Sequence, residues 1–286
     1  MKKRTILQLF KNKQLRVPSV GVTAYDYPTA RIVNNSNVDF IVVGDTVGPT
    51  THGVQNLNRV SMSMMLTHCE AVKRGNQNQF LIGDMPFLSY QLSNTDAIRN
   101  AGEFVRSGMD AVKLEGHFPE RIKAIADSGT LIMAHLGLTP QTQARLGGYR
   151  VQAKTGQEID QLLQQAKSVE QSGASLLLLE AVPAEVAEMV RNELNIPVYG
   201  IGAGPKVDGQ LAIIHDLLGL FWDFKPKFIK QYVNGEEVFL KAIQEYAKEV
   251  VETKFPTDSQ SYHLQEEALD ALLARSGSSW KYEKAG

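Results

Sequence analysis

Residues 41–48, IVVGDTVG, decide the fold that we expect for this chain. The apolar β-branched run followed by a glycine is typical of a buried strand. The run ends on the carboxylate of Asp45 and the hydroxyl of Thr46, before a second glycine. Because an unpaired buried carboxylate is costly, Asp45 needs a cation or several hydrogen-bond donors. The stretch therefore predicts a strand that delivers a charged group to the rim of a core.

The same pattern, an apolar strand that ends on an ionisable group, recurs along the chain. Further strand-like runs end on Asp84, Glu115, His135 and Glu180. Lys113 lies two residues before Glu115, and positions i and i+2 of a strand share one face. Runs of this kind indicate one site that is built from the ends of several strands.

Strand-like and helix-like segments alternate over most of the sequence. Strands are predicted at residues 20–26, 39–45, 80–85, 111–116, 130–136, 175–181 and 196–201, with an eighth within 216–221. Helical periodicity separates them, for example over residues 94–107, 157–171 and 184–194. Such βα units favour an α/β fold, a closed (β/α)8 TIM barrel whose active site forms at the carboxyl ends of the strands.

The barrel accounts for most of the chain. We predict one barrel domain over residues 1–264, with a helix at its N-terminus, and a flexible C-terminal tail over residues 265–286. Within the tail, residues 265–275 have the pattern of a short helix.

The composition is that of an ordinary globular protein. The 286 residues include 30 basic and 31 acidic side chains, and this balance argues against nucleic-acid binding. No apolar run approaches the ~18 residues that a membrane span needs. Cys69 is the one cysteine, so no intrachain disulfide can form, and we expect a reducing, cytoplasmic location. We interpret Cys69 as a small apolar side chain on a helix rather than as a catalytic thiol.

The strand-end residues suggest individual roles. Asp45, Asp84 and Glu115 supply hard oxygen ligands without a Cys or His cluster, which favours Mg²⁺ over zinc. Each acid has the alternative of capping a helix or pairing with a basic side chain. Lys113 is a candidate contact for a substrate carboxylate, unless it only pairs with Glu115. His135 is a candidate donor to a substrate oxygen, unless it is only structural.

Two further features follow later strands. Glu180 ends an apolar strand, where a carboxylate can serve as a general base, and its alternative role is to cap the next helix. Residues 200–204, GIGAG, form a glycine-rich turn at a place where many barrels bind phosphate. The turn matches neither a P-loop nor a dinucleotide fingerprint, so it does not identify a ligand by itself.

Several motifs occur in order along the chain. They are TAYD at 23–26, VGDTVG at 43–48, DMPF at 84–87, VKLEG at 112–116, HLGLTPQ at 135–141, GGYRVQ at 147–152, LEAVP at 179–183 and IPVYGIGAG at 196–204. Together they resemble the ketopantoate hydroxymethyltransferase family, from about residue 5 to about residue 263. The resemblance implies a barrel of the phosphoenolpyruvate/pyruvate superfamily type.

The resemblance also implies an activity. The family moves a one-carbon unit from 5,10-methylenetetrahydrofolate to 3-methyl-2-oxobutanoate, which gives 2-dehydropantoate in pantothenate biosynthesis. By motif, Asp45, Asp84 and Glu115 look like Mg²⁺ ligands, and Glu180 looks like the proton acceptor. Thr46 and Lys113 look like contacts for the substrate carboxylate. The substrate-binding residues predicted in total are Asp45, Thr46, Asp84, Lys113 and His135.

The implied partners are a small 2-oxo acid, the folate and further copies of the chain, since the family forms a decamer of two pentameric rings. Neither a nucleic acid nor a membrane is expected. The chain departs from the family pattern at Thr46, which replaces a serine, at residues 56–61, and at His117, which replaces a glycine. These departures leave two alternatives open. One is a divergent paralogue that acts on, or only binds, another 2-oxo acid, and the other is a C–C lyase or phosphomutase of the same superfamily.

Overall fold

The structure is a computed structural model, and it describes residues 3–221 and 226–276. The chain divides into two compact units, Met1–Val233 and Asn234–Gly286. The domain boundary predicted after residue 264 lies inside the second unit. Every predicted site residue belongs to the first unit.

Parallel strands form a closed barrel in the first unit. The strands are β1 (Ser19–Thr23), β2 (Phe40–Val43), β3 (Phe80–Asp84), β4 (Ala111–Glu115), β5 (Leu131–Gly137), β6 (Leu176–Glu180), β7 (Val198–Ile201) and β8 (Gly209–Ala212). They follow one another around the barrel in chain order, and β8 pairs with β1. The predicted (β/α)8 TIM barrel is confirmed, and its first seven strands lie where the sequence pattern placed them.

The prediction of an eighth strand within residues 216–221 is wrong. That segment contains a short helix, and the last strand comes before it. β8 is 4 residues long with Gln210 on its exposed side, so it lacks the apolar run that marks the other strands. Gly209 is required there because a Cβ would lie 2.1 Å from the carbonyl oxygen of Ser19 on β1.

The strand register aligns the predicted site residues. Asp84 pairs with Lys113 across β3 and β4, and Glu115 pairs with His135 across β4 and β5. Glu180 ends the next strand, β6. Because parallel strands of a barrel present their carboxyl ends at one rim, these side chains share that rim.

Helices surround the barrel, and the three predicted from periodicity are confirmed as α5 (Asn94–Arg106), α8 (Gly156–Gln171) and α9 (Ala184–Glu193). The side chain of Ser93 caps α5, and Thr155 forms a capping box with Glu158 at the start of α8. The helices of the first unit are α1 (Ile6–Leu15), α2 (Tyr27–Asn34), α3 (Val47–His52), α4 (Met62–Gly75), α5 (Asn94–Arg106), α6 (Pro119–Asp127), α7 (Gln143–Leu146), α8 (Gly156–Gln171), α9 (Ala184–Glu193) and α10 (Ile214–Leu218), with 3₁₀ turns at Leu57–Arg59 and Pro140–Thr142.

Two apolar clusters form the core. The larger joins strands to helices and includes Cys69 of α4, which confirms that this cysteine is a buried apolar side chain. The smaller joins Leu9 of α1 to strand residues such as Phe40, Phe80 and Tyr199. The rings of Phe40 and Tyr199 stack with centroids 4.7 Å apart. Because Phe40 and Phe80 begin their strands, Leu9 packs at the amino end of the barrel.

The acids that precede strands at this amino end are paired. Asp39 accepts a hydrogen bond from Arg4 Nε at 2.7 Å and another from the backbone N–H of Val20. Asp110 accepts one from Lys3 Nζ at 2.5 Å and another from a backbone N–H of β3. The segment before β1 therefore supplies a cation to each of these acids.

Asp208, which precedes β8, is paired most completely. Lys13 Nζ and Arg191 Nε each donate to its carboxylate at 2.8 Å. The backbone N–H of Val198 donates to the same group at 3.0 Å. The carboxylate thus has cations from α1 and α9 and a strand amide.

The second unit contains α11 (Gly235–Val251) and α12 (Glu266–Ser276). α12 confirms the short helix predicted within the tail, and residues 277–286 lie outside the described residues. None of the helices in the described ranges is long and apolar enough to cross a membrane. Large apolar side chains are exposed on α11 at Val238, Phe239, Leu240, Ile243, Tyr246 and Val251.

Candidate active site

A cavity of about 1060 Å³ opens at the carboxyl ends of the strands. The structure brings together at this cavity every residue predicted to bind substrate, to ligate a metal or to accept a proton. These residues are Asp45, Thr46, Asp84, Lys113, Glu115, His135 and Glu180. They come from the ends of five different strands, β2 to β6, so the local sequence of no single segment could assemble the cluster.

Lys113 lies between two carboxylates that line the cavity. Its Nζ donates a hydrogen bond to Asp84 Oδ1 at 2.7 Å and lies 3.9 Å from Glu115 Oε2. Burial alone would lower the pKa of this buried ammonium group, but the charges of Asp84, Glu115 and Asp45 outweigh burial and raise it. Lys113 is therefore a permanent cation next to open cavity space.

Asp45 is held from two sides. The backbone N–H of Asp45 donates to Asp84 Oδ2 at 3.1 Å. The side-chain oxygen Oδ2 of Asp45 accepts a hydrogen bond from Gln141 Nε2 at 3.0 Å. Burial and then the charge of Asp84 raise the pKa of Asp45 well above its usual range. Lys113 opposes this rise only in part. Asp45 is thus a carboxyl group whose charged form is disfavoured by burial and by Asp84.

His135 lies between two glutamates. Its Nδ1 is 3.4 Å from Glu115 Oε2 and its Nε2 is 3.3 Å from Glu180 Oε2, at ion-pair distance but without the alignment of a hydrogen bond. Burial and the charge of Lys113 lower the pKa of His135, but the two glutamates outweigh both effects and raise it to about 9. At neutral pH the imidazole is therefore protonated and places a positive charge beside Glu180.

Thr46 follows the end of β2 and precedes α3. Its Oγ1 lies 2.6 Å from the hydroxyl oxygen of Tyr25. Burial raises the pKa of Tyr25, so the phenol keeps its proton and can donate it to Thr46. The hydroxyl proton of Thr46 then remains available to a substrate anion.

Gln141 and Tyr90 were not among the predicted site residues. Gln141 also donates its backbone N–H to Glu115 Oε1 at 2.6 Å and its Nε2 to the carbonyl oxygen of Met85. The hydroxyl of Tyr90 donates to Gln141 Oε1 at 2.9 Å. These residues orient the carboxylates without belonging to a strand end. A glutamine in the 3₁₀ turn after β5 was visible in the sequence, but its burial was not.

The positions that depart from the family pattern lie in different places. Leu57, within residues 56–61, lines the cavity together with Gln55. His117 does not line it, and its Nε2 lies 3.0 Å from the hydroxyl of Ser168 on α8. Thr46 lines the cavity as well, so Thr46 and Leu57 can touch a ligand directly, whereas His117 does not line it.

The glycine-rich turn at residues 200–204 allows close packing at the cavity rim. A Cβ on Gly202 would lie 2.6 Å from the ring of Phe228, which lines the cavity. A Cβ on Gly204 would lie 2.3 Å from the Cβ of Ala184 on α9. Both glycines have positive φ angles, +67° and +75°. The turn thus lets an aromatic ring and a helix approach the barrel.

The cluster carries more negative than positive charge. Four carboxylates face two cations, which leaves two excess negative charges when all are ionised. Hard oxygen donors and this excess suit a divalent cation. Within residues 3–221 and 226–276, however, there is no group of three or more His, Cys, Asp or Glu side chains whose arrangement could hold a metal ion. Lys113 and Gln141 engage the carboxylates instead.

The sequence of the chain matches known proteins over most of its length. Residues 3–258 match the family described as Ketopantoate hydroxymethyltransferase. A 3-methyl-2-oxobutanoate hydroxymethyltransferase of Alkaliphilus metalliredigens is 46% identical over 266 residues, which cover 92% of this chain and 94% of the relative. Another of the same name, from Saccharolobus islandicus, is 44% identical over 268 residues, which cover 93% of this chain and 100% of the relative.

Solved structures with the same fold are more distant in sequence. A phosphonopyruvate hydrolase in complex with oxalate and Mg²⁺ has a TM-score of 0.59 and 13% identity and covers 96% of this chain and 99% of its own. A 2,3-dimethylmalate lyase of the PEP mutase/isocitrate lyase superfamily has a TM-score of 0.57 and 14% identity and covers 93% of both chains. These likenesses concern the fold alone. The sequence matches decide the family: the chain belongs to the ketopantoate hydroxymethyltransferases.

Proposed function

We propose that this protein transfers a hydroxymethyl group from 5,10-methylenetetrahydrofolate to 3-methyl-2-oxobutanoate and so acts in pantothenate biosynthesis. The observation that carries the proposal is the pairing of Glu180 with a protonated His135 beside the buried Lys113 ammonium. This arrangement offers a base and a carboxylate-binding cation in one cavity. The family membership supplies the substrate class.

Lys113 and Thr46 would bind the substrate carboxylate. The ammonium of Lys113 is permanently charged, and the Thr46 hydroxyl has a free proton when Tyr25 donates to it. Both groups line the cavity. Binding the substrate anion there would also compensate the buried ammonium more fully.

Glu180 would take the proton from C3 of the bound 2-oxo acid. A C3–H bond breaks, and the new carbanion forms a C–C bond to the one-carbon unit of the folate. Both C–N bonds of the methylene bridge break, and water supplies the hydroxyl of the product. The proton removed from C3 and the second proton of the water complete the two N–H groups of the tetrahydrofolate that leaves. His135, 3.3 Å from Glu180, holds the carboxylate in place before the transfer. Its positive charge also favours negative charge that develops on the substrate.

The residue types and the charge of the cluster fit Mg²⁺, although the side chains do not converge on one point. Asp45, Asp84 and Glu115 are the residues that would hold the ion. When bound, Mg²⁺ would supply Lewis-acid polarisation of the substrate carbonyl. Burial and then the charge of Asp84 raise the pKa of Asp45, and a bound cation would favour its charged form. Titration calorimetry with MgCl₂ tests the assignment, because Asp45→Asn should weaken binding.

The cavity supports a second, larger substrate. Ligand pockets for molecules of drug size span roughly 300–1,000 Å³. The observed volume of about 1060 Å³ is therefore far more than a five-carbon acid fills. A folate of several rings matches the remaining space.

Proton NMR of 3-methyl-2-oxobutanoate in D₂O tests the reaction in two stages. With Mg²⁺ and the protein, the C3 proton signal should disappear, and addition of methylenetetrahydrofolate should then produce 2-dehydropantoate. Glu180→Gln should slow the exchange about 10²–10⁴-fold, as expected for loss of a general base. Glu185→Gln, at an exposed position on α9, is the matched control and should exchange like the wild type.

Each other outcome has a meaning. Undiminished exchange in Glu180→Gln would remove Glu180 as the base. Exchange without transfer would point to a changed donor site near residues 56–61. Neither exchange nor transfer in the wild type would overturn the proposed function and favour another 2-oxo acid, a C–C lyase or phosphomutase, or a binding-only paralogue.

We further propose a homo-oligomer in the cytoplasm. The row of large apolar side chains exposed on α11, including Phe239 and Ile243, favours association. The single free cysteine, Cys69, suits a reducing compartment. Light scattering on the eluted protein tests the first point, and a monomer at micromolar concentration would contradict it.

A further inference from the structure

Asp216 of α10 is a buried carboxylate that the proposed chemistry does not use. The residue is 7% exposed and lines the same cavity as the charged cluster. Its Oδ2 has no hydrogen-bond partner among the described residues. Buried polar atoms nearly always have a partner, so an orphan that faces a cavity points to a ligand.

Within residues 3–221 and 226–276, Asp216 forms no ion pair. Burial raises its pKa to about 6, and no charge among these residues adds to the shift. The adjacent His215 does not compensate it, because burial lowers the pKa of that imidazole. The ring of His215 instead lies 5.3 Å from that of Tyr25, centroid to centroid. Asp216 is therefore a buried hydrogen-bond acceptor beside apolar side chains, and its Oδ2 has no donor among the residues that the structure describes.

The cavity wall around Asp216 suits a flat ring. The other lining residues that follow β7 are mainly apolar, and Gly202 lets the ring of Phe228 close onto the rim. Leu211 belongs to β8 and Ile213 precedes α10, so both lie near Asp216 in the chain. Aromatic and branched side chains of this kind pack well against a planar heterocycle.

Asp216 lies at a different part of the barrel rim from the residues that are proposed to bind the 2-oxo acid. It follows β8, which pairs with β1 and β7, whereas Lys113, Glu115 and His135 belong to β4 and β5 on the other side. Glu180 on β6 and Thr46 after β2 lie between these two sides. A ligand at Asp216 would thus share the cavity with a 2-oxo acid without displacing it.

We propose that Asp216 binds the pterin ring of the folate substrate, by accepting hydrogen bonds from its N3–H and 2-amino groups. This inference rests on the proposed function, which supplies the folate. A carboxylate accepts two parallel hydrogen bonds from two adjacent N–H donors. Both donors belong to a neutral ring, so they satisfy the buried carboxylate without a cation. The apolar wall covers the faces of the same ring.

Asp216→Asn tests the assignment while it keeps the side-chain shape. The amide presents an N–H₂ group where the ring also has donors, so one hydrogen bond is lost and a repulsive contact replaces it. A hydrogen bond to a charged group contributes about 1.5–3 kcal/mol, so we expect a rise in KM for methylenetetrahydrofolate of roughly 10–150-fold. C3 exchange of the 2-oxo acid needs no folate and should stay within about twofold. Asp160→Asn, exposed on α8, is the matched control.

A change in the ligand tests the same contact without relying on the variant. Equilibrium dialysis compares tetrahydrofolate with its 2-desamino-2-methyl analogue, which lacks the amino donor. The wild type should bind the analogue about 10-fold or more weakly, because a buried acceptor is left unpaired. Asp216→Asn should bind both ligands about equally. Should the variant not fold, the comparison on the wild type alone still decides.

The outcomes separate this inference from the proposed function. Equal dialysis constants for the two ligands in the wild type would refute the pterin contact, whether or not the protein turns over. Equal loss of exchange and transfer in Asp216→Asn would also refute it and assign the residue a structural role. A wild type that binds tetrahydrofolate with the expected preference but lacks exchange and transfer would overturn only the proposed function.

Discussion

The acidic side chains at the two ends of the barrel have opposite environments. At the amino end, Asp39, Asp110 and Asp208 each accept hydrogen bonds from at least one cation and one strand amide. At the carboxyl end, the four carboxylates of the cluster face two cations, Lys113 and His135, and burial and then the charge of Asp84 raise the pKa of Asp45. At this end burial raises the pKa of Asp216, and no charged group among the described residues opposes that rise.

This difference in pairing indicates that the acids at the amino end serve stability and those at the carboxyl end serve function. Paired acids at the amino end connect α1 and α9 to the strands, so loss of one partner should lower the free energy of unfolding. Unbalanced acids at the carboxyl end cost folding free energy, because burial and like charges disfavour them. Such a cost is sustained where a ligand completes the site.

The largest expected effect is on catalysis at the carboxyl end. Asp45→Asn should lower kcat/KM about 10³-fold, near 4 kcal/mol, because a predicted metal ligand is lost. The same substitution should leave the free energy of unfolding unchanged or higher without added metal, since it removes a charge that burial and Asp84 disfavour. Steady-state assays and urea unfolding in EDTA measure the two quantities. A clear loss of stability would break the comparison.

The reverse pattern is expected at the amino end. Asp208→Asn leaves Lys13 and Arg191 without their shared partner, so the free energy of unfolding should fall by about 2–4 kcal/mol. Below the unfolding transition, kcat should change less than about twofold, because Asp208 does not line the cavity. Thermal unfolding by circular dichroism and the NMR assay provide the test. Similar losses in both assays would contradict the separation of the two ends.

A variant of Gln141 tests how far the orientation of the carboxylates contributes to activity at the carboxyl end. Gln141→Leu removes the side-chain donor to Asp45 but keeps the backbone donor to Glu115, so the carboxylates lose part of their orientation. Removing such an outer contact typically costs 10–100-fold in metal affinity or activity, and we expect that range for C3 exchange. Gln164→Leu on the exposed side of α8 serves as the control. An unchanged exchange rate would show that Asp45 is oriented by other contacts.

The smallest effect concerns Asp216 and pH. Its pKa rises from 3.8 to about 6 on folding, so the folded state holds the proton more tightly. This contribution to stability is fully present below pH 3.8 and is lost as the pH rises through about 6. At pH 7.5, Asp216→Asn should therefore be more stable than the wild type by about 1–2 kcal/mol. Unfolding curves at pH 4 and 7.5 test this, and the same difference at both values would exclude the carboxylate as the cause.

The sequence was most informative where a residue type and its local pattern coincide. A strand that is buried on both sides must be apolar until it reaches the rim, so Asp84, Glu115 and Glu180 could be recognised as strand ends. β8 was missed because it is short and Gln210 interrupts its apolar face. The short helix α10 follows β8, and its apolar residues led to the wrong prediction of a strand within residues 216–221.

The contacts that orient the site were not visible in the sequence. Gln141 and Asp45 are 96 positions apart, and Lys13 and Asp208 are 195 apart, yet each pair is in hydrogen-bond contact. Such pairs have no period or spacing that marks them. The charge imbalance at the carboxyl end also became visible only when the distances between the groups were known.

The sequence by itself determined the alternation of strands and helices, the family and the acids at the rim, because these follow from hydrophobic period and local chemistry. Only the tertiary structure decided which acids are compensated and which are not. Closure of the barrel brings the cations before β1 to the amino end and gathers Asp45, Lys113 and Asp216 around one cavity. Burial and charge depend on neighbours in space, and those neighbours come from distant parts of the chain.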